Sequence, residues 1–594
     1  MNIVHSMKKQ ALLLVLLFAV VFSTACGGNI PTVTPTVAPT IAPTVQKDLP
    51  KIISVELDHS EAPNYTSIEM TIKLDAKYSN PYDLREISLD GIFTGPTGKE
   101  MQVPGFWDGD GNWKLRFTPS QVGMWNYTIQ VKDLRGTSLS SAGGFSVTTS
   151  DLHGWIEPGN TFDPAYSSHY LVYNDGTPFY GVGHCDALNI LIDGFDIEDG
   201  VGLFDDMKKA NENFVVWWPM YANSIVNSSY DDYSFPSMKV IDAVVQDAQK
   251  KGIYLVFTIW DHPNLRDDTH AWGTGNWGRN GFSKLSDINF FFVSDEAWAW
   301  QANLYRYMIA RWGYSPAIGM WQTVSEVNGT NAYDQTDPWH KKVNDYFVAN
   351  DPYRHPTTAS GSGEVDWSTG HAVMDMPQVH LYDFDHGSSG NNNTDVIGAA
   401  EHVAEWTQTM LKNADKPNWI GEFGVEGNSY YPELFHNSIW AALASGAAMT
   451  PAEWNSGGSW GRLTPEMKAD LNHLAQFTQA LPLAKWNPQA LKISTNVTVV
   501  RGWGVAGNDG GLFWVQDFSA EGKPIDEVRA SITVRANVQV EITGLAEGTY
   551  SIQPFETWQG IYLDSFDVNC KANKLCVFAL PDITSDMAFK LIRK

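Results

Sequence analysis

Between His169 and Leu481 the chain repeats one texture eight times, a short apolar run followed by a longer stretch with helical periodicity. Short apolar runs read as strands buried on both faces, and their alternation with helices is the pattern of a parallel sheet covered by helices. The runs are Phe179–Gly183, Phe214–Trp218, Ile253–Trp260, Ile318–Val324, Thr357–Ser360, Gln378–Tyr382, Trp419–Phe423 and Ala447–Thr450. Eight strand–helix units in this length are what a (β/α)8 TIM barrel requires. A doubly wound open sheet uses the same units, but no glycine-rich phosphate fingerprint follows the first run. The expectation is an α/β chain with a barrel over residues 160–483. Its helices carry their own signals. Ser294 is placed to cap a helix with Asp295 and Glu296 in its first turn and Trp298, Ala302, Tyr305, Ile309 and Trp312 along one face. Another helix is read over Met238–Ala248, and a last one opens at Thr464 and Pro465 with Met467, Leu471, Leu474 and Leu481 as its stripe.

Strand texture flanks this region on both sides. In Ser67–Ala76, Ile68, Met70, Ile72 and Leu74 alternate with polar residues, so one face is buried and one is wet. Turn signals at Asp108–Gly111 and Arg135–Gly136 separate further strands, and a β-sandwich is expected over 51–150. Asp108–Asn112 has the look of a calcium loop but lacks the distal Glu, and a hairpin turn is preferred. Val538, Val540 and Ile542 alternate with Gln539 and Glu541, so a second sandwich is expected over 484–594.

The first residues read as an address. Lys8 and Lys9 precede an apolar run from Ala11 to Phe22, too short to span a bilayer comfortably, and Ser23, Thr24 and Ala25 lead into Cys26. Met7 would serve equally as the start. The segment 1–26 resembles a bacterial lipoprotein signal, which implies an exported protein anchored through a lipid on Cys26. Ser23 stands where such signals carry an aliphatic residue, so ordinary secretion stays open. Residues 27–50, with Pro-Thr units from Pro31 to Val45, cannot build a core and read as an extended tether. Of the remaining cysteines, Cys570 and Cys576 are close enough in sequence to close a disulfide in an oxidising compartment, and Cys185 has no obvious mate.

Composition narrows the partners. A net charge of -27, from Lys+Arg 40 against Asp+Glu 67, repels nucleic acid and anionic headgroups, so neutral partners are favoured. Trp 24, Tyr 23 and Phe 28 supply flat faces on which sugar rings stack, although aromatics also fill cores.

Barrel active sites gather at the carboxyl ends of the strands, which draws attention to polar residues just past each apolar run. Glu326 ends the fourth run and Glu422 the seventh. A glutamate at the end of an apolar strand is costly to bury unless it is paired, hydrogen-bonded or functional. Trp-x-x-x-x-Glu at Trp321–Glu326 and Ile-Gly-Glu-Phe-Gly at Ile420–Gly424 resemble the clan A glycoside hydrolases, which include cellulase-like and mannanase-like enzymes. His169–Tyr180 looks like the entry of the apiosidase-like and collagenase-labelled branches, and Val103–Phe117 is similar to an uncharacterised sandwich domain found before such barrels. The resemblance implies a retaining O-glycosyl hydrolase that cleaves β-glycosidic bonds of a polysaccharide or oligosaccharide, with Glu326 as acid/base and Glu422 as nucleophile and with no cofactor. It further implies that Tyr382 orients Glu422 and that Trp454 is the platform for the sugar ring; His380, near the same strand end as Tyr382, reads equally as a substrate ligand or as a structural hydrogen-bonder.

Two departures are plain. Ser325 stands where the clan commonly has Asn, which makes Asn328 a candidate substitute, and the second run ends in Trp217 and Trp218 where an Arg is common. Trp218, Asp186 and His262, at the ends of other runs, complete the candidate cleft, with Glu453 nearby and Trp272, Trp277 and Trp460 in glycine-rich loops. His184, Cys185 and His262 invite a metal, but no two sit at helical ligand spacing, and none is assigned. A carbohydrate-binding surface lipoprotein without activity is the second reading. A peptidase or collagen binder finds no zinc motif or serine elbow.

Overall fold

The computed structural model describes residues 48–186, 202–270, 273–382, 384, 394–424, 431–454, 463–571 and 574–594. The signal and most of the tether, Cys26 included, lie outside them, as do Trp272 and Trp460. Among the described residues no helix is long and apolar enough to cross a membrane.

The unit Leu49–Lys594 is mixed α/β. It begins with two antiparallel sheets around one core. Lys51–Leu57, Ile68–Asp75, Trp113–Phe117 and Phe106–Trp107 make one, and Glu61–Pro63, Gly143–Thr148, Gly123–Asp133, Ile87–Thr94 and Glu100–Pro104 make most of the other. Ile68, Met70 and Ile72 face Ile87, Leu89, Ile129 and Val131 in that core, and Phe93 stacks on Phe117 at 3.9 Å. The Asp108–Asn112 segment is a turn closed by Asp108 N–H donating to the Asn112 carbonyl. The Asp108 carboxylate is engaged by Arg311 and Lys114.

A buried ionic cluster fastens these sheets to the helices that follow. Asp242, on the helix Phe235–Lys251, accepts from Arg116 at 3.2 Å, from Arg311 at 2.6 Å and from the Trp312 indole at 2.9 Å. Removing a shared buried carboxylate strands the cations it neutralised. Asp242→Ala is therefore expected to cost roughly 3–5 kcal/mol, measured as a fall in the urea midpoint; a loss under about 1 kcal/mol would contradict this role.

In the middle of the chain, parallel strands follow in sequence order. Gly183–Cys185, Phe214–Trp217, Tyr254–Thr258, Ile318–Gln322 and Thr357–Thr358 form one sheet, and Gln378–Leu381 pairs with Trp419–Phe423. Backbone hydrogen bonds join these two sheets and return to the first strand. Asp375 and Met376 N–H donate to the Thr357 carbonyl, Ala448 to Asn418, Ala452 to Ile420, Thr450 to Gly181, and Cys185 to Glu453.

Two of the eight expected strands are corrected. Phe179 belongs to an antiparallel hairpin, Leu171–Tyr173 with Pro178–Phe179, turned at Gly176 with φ 84°. The parallel strand starts later, at Gly183, where a Cβ would lie 1.9 Å from the Phe214 carbonyl oxygen, so only glycine fits there. Ala447–Thr450 is not a regular strand but an extended run with isolated bridges Met449 to Gly181 and Glu453 to Phe423. Pro451 has no N–H to give to a ladder, which accounts for the break.

Helix signals hold more closely. Ser294 accepts from Ala297 N–H and opens Asp295–Trp312. The expected Met238–Ala248 helix is longer, Phe235–Lys251, because Ser234 caps it, Pro236 sits in its first turn, and Gly252 ends it at φ 68°. The last, Pro465–Thr478, stops short of Leu481.

Beyond Leu483 two further antiparallel sheets enclose a core of Val538, Val540, Ile542, Tyr550, Ile552 and Phe589, and Cys570 and Cys576 form a disulfide. Trp514 and Phe555 from the larger sheet pack with Trp440 and Leu471 of the preceding helices in one continuous apolar cluster.

Candidate active site

Glu326 and Glu422 come together although 96 positions separate them in sequence. Glu422 sits inside the strand Trp419–Phe423 and is 3% exposed. Glu326 follows Ile318–Gln322 in a left-handed conformation, φ 56°, with its N–H donating to Ser360 Oγ at 2.9 Å. Such a backbone is uncommon outside glycine and needs surrounding support, here from Ser360 and the short helix Val327–Gly329.

Between the carboxylates stands His380, fully buried. Its Nδ1 is 2.9 Å from Glu326 Oε1 and 3.2 Å from Glu422 Oε2. One ligating atom from each of the three lies within 4.8 Å of the others. The Tyr382 hydroxyl donates to Glu422 Oε2 at 2.9 Å, Ser325 Oγ lies 3.4 Å from Oε1, and His262 Nδ1 is 3.3 Å from Glu326 Oε2.

The charges follow from this crowding. Burial pushes Glu422 up to about 7, the neighbouring Glu326 charge adds to that, and His380, Tyr382 and Ser325 oppose it. Burial would raise Glu326 too, but the hydrogen bond and charge of His380, with His262 and Arg266, bring it below its ordinary value. Two buried like charges this close cannot both ionise freely, so the pair titrates as a unit and holds one proton across a wide pH range. The His380 imidazole favours its charged form between two carboxylates despite burial, yet its Nε2 has no partner among the described residues. Its fixed tie is the Nδ1 proton, shared by the two glutamates.

Trp218 is buried with its ring 5.0 Å from Trp454 and edge-on to His262 at 6.1 Å. This aromatic corner adjoins the carboxylates through His262. Asp186 is buried at the end of Gly183–Cys185 beside His184. His184 bonds Glu212 at 2.5 Å and, despite its burial, is pushed up to about 9 by Glu212, Asp186 and Glu453. Asn328 is placed differently from the others. It is exposed, and its amide exchanges two hydrogen bonds with Ser362, while Ser325 is the residue that faces Glu422. Trp277 is buried against Phe291 and anchors its loop.

Sequence reasoning missed Ser360 and Arg266. Arg266, fully buried after the third strand, donates to the Gly329 carbonyl and brings positive charge to Glu326. A single Arg in a loop gives no periodic signal, and only the fold brings it here.

The solved structures that this chain resembles include proteins named as glycoside hydrolases. One is a Bacteroides vulgatus ATCC 8482 protein provisionally named as a glycoside hydrolase, with TM-score 0.61 at 16% identity over 90% of this chain and 100% of that one. At that identity the likeness speaks for the fold. A protein named as a glycoside hydrolase reaches TM-score 0.49 at 13% identity over 74% of this chain and 97% of its own. A Bacteroides vulgatus ATCC 8482 protein of glycoside hydrolase family 5 reaches 0.48 at 13%, over 72% and 92%. Residues 61–132 match a family model described as a domain of unknown function, DUF5060. No curated protein matches the chain.

Proposed function

We propose that this chain is a retaining O-glycosyl hydrolase acting on β-linked polysaccharide or oligosaccharide, with Glu326 as general acid/base and Glu422 as nucleophile. The observation that carries this reading is the approach of the carboxylates, an oxygen of each within 4.8 Å of the other across His380. Retaining enzymes set their carboxyl groups about 5–5.5 Å apart, whereas inverting ones leave about 6.5–9.5 Å for a water. The ring of parallel hydrogen bonds supports an eight-stranded barrel over 160–483, with sandwiches over 51–150 and 484–594 to either side. In that frame both glutamates stand at carboxyl ends of strands.

Tyr382 donates to one oxygen of Glu422 and Ser325 approaches the other, which orients the carboxylate. Glu326, flanked by His262, protonates the departing oxygen and then takes a proton from water. In the free site the shared proton favours Glu422, the reverse of what these roles need at the moment of attack. His380 Nδ1 touches both carboxylates and gives the proton a short route between them. The aromatic corner of Trp218 and Trp454 offers apolar faces to a sugar ring.

The pH dependence follows. The pair loses its proton as pH rises through about 7 and takes up a second one only below the ordinary Glu value of 4.5. A bell-shaped kcat/KM profile is expected, flat between those limits; activity still rising above pH 8 would contradict it.

Glu326, His380 and Glu422 also offer a donor set for a divalent cation. The hydrogen bonds from His380 satisfy the same oxygens with a proton, so turnover is expected to survive exhaustive EDTA dialysis unchanged. Loss of activity restored by Zn2+ or Mn2+ would assign the cluster to a metal.

Residues 1–26 would export the protein and lipidate Cys26, and 27–50 would hold it off the membrane. The first test is reducing-sugar release across a panel of plant, algal and microbial glycans. Release from at least one supports the hydrolase; binding without release from any would establish the inactive lectin-like reading instead.

A further inference from the structure

A cavity of about 320 Å³ lies away from the two glutamates, between the helix Pro432–Ser445 and the C-terminal sheets. Asp586, 3% exposed, lines it. Its Oδ2 accepts from Thr557 Oγ1 at 2.6 Å and the Trp514 indole at 2.7 Å and meets His436 Nε2 at 3.1 Å. Its Oδ1 is buried with no hydrogen-bond partner among the described residues. A buried carboxylate oxygen left without a donor is costly unless a ligand or water supplies one.

The cavity also has a prepared aromatic wall. Trp558 is 38% exposed, and one face of its ring lies flat on His436, centroids 3.8 Å apart at 11°. His436 is clamped between Asp470 at 2.8 Å and Asp586. Burial alone would neutralise this imidazole, but the two aspartates outweigh it and push it up to about 10. The clamp fixes the indole, and its outer face stays available for stacking. Around it stand Glu433, Asn437, Thr533 and Gln559. The nearby cations are already paired, Arg529 with Glu433 and Arg535 with Asp517.

We propose that this cavity is a second carbohydrate site, separate from the catalytic one, that takes a neutral pyranose residue stacked on Trp558 with a hydroxyl donating to Asp586 Oδ1. Carboxylates outnumber cations among its lining residues, Glu433, Asp517, Glu556 and Asp586 against Arg529, so a ligand that brings donors and carries no negative charge is favoured, which a neutral sugar satisfies and a uronic acid does not. Its volume suits a small ligand. The choice of sugar as ligand rests on the glycosidase reading; the cavity, the ring and the orphan oxygen do not.

The test uses full-length protein carrying Glu422→Gln, titrated calorimetrically with cellohexaose, mannohexaose and xylohexaose. Binding that depends on Trp558 is expected for at least one of them, weakened tenfold or more by Trp558→Ala. Thr533→Trp, a change at the exposed rim that fills the cavity without touching the Asp586–His436 clamp, is expected to weaken it equally and to leave hydrolysis of short chromogenic substrates unchanged in the otherwise native enzyme. Loss in both variants, whether or not the carboxylate site binds or turns over, supports the second site and separates it from the catalytic reading. Isotherms identical to the parent in both variants, for all three glycans, would overturn it.

Discussion

Glu422→Gly is expected to lower kcat/KM by roughly 10⁴-fold or more, and azide to restore turnover with release of a glycosyl azide of inverted anomeric configuration. The small anion occupies the space that the carboxylate vacates and attacks the face that Glu422 would have attacked. Tyr382 and Ser325 stay in place to line that space. The anomeric outcome is the test that matters, because burial and its neighbour raise Glu422 to about 7, which by itself would suit an acid. If Glu422 were the acid/base, azide would instead trap a glycosyl-enzyme formed on Glu326 and give a product of retained configuration, and the two roles would have to be exchanged.

Glu326→Gln is expected to cost roughly 10²–10⁴-fold on natural linkages, the usual worth of a positioned general acid or base. The loss should depend on the leaving group. An activated aryl glycoside departs without protonation, so its bond cleavage should be nearly spared while hydrolysis of the enzyme intermediate slows. The amide keeps the hydrogen bond with His380, so folding should not change; with Glu326 neutral the pair no longer has an acid proton to lose, so the fall in rate above about pH 7 should disappear. An equal loss for good and poor leaving groups would show that Glu326 acts in binding alone.

The residues differ in how far their sequence surroundings reveal them. Trp419–Phe423 was legible to the residue because Trp419, Ile420 and Phe423, bounded by Asn418 and Gly424, leave little freedom. Ser294 was legible because a cap is decided by a hydrogen bond three residues away. The misplaced first strand shows the limit. Its apolar run is continuous, and the break between hairpin and parallel sheet is set by how closely Gly183 meets Phe214, a contact 31 positions distant.

The site divides in the same way. Glu326, Glu422, Tyr382 and His380 lie at run ends, where a period argument reaches them. Ser360 and Arg266 join through long-range geometry, and so does the Asp470–His436–Asp586 clamp, whose members come from two helices and a C-terminal strand. Asn328 was inferred as a stand-in for a missing neighbour of Glu326, but the left-handed turn at Glu326 sends it outward to Ser362. A single positive φ thus decides which polar side chain faces Glu422.

The stereochemical course of hydrolysis carries the most weight, because it follows from the carboxylate spacing and from little else. Proton NMR of the first product formed from a cleaved β-glycan should show the β-anomer before mutarotation sets in. Appearance of the α-anomer first would mean that a water, not Glu422, attacks the sugar, and would contradict the two-glutamate retaining mechanism.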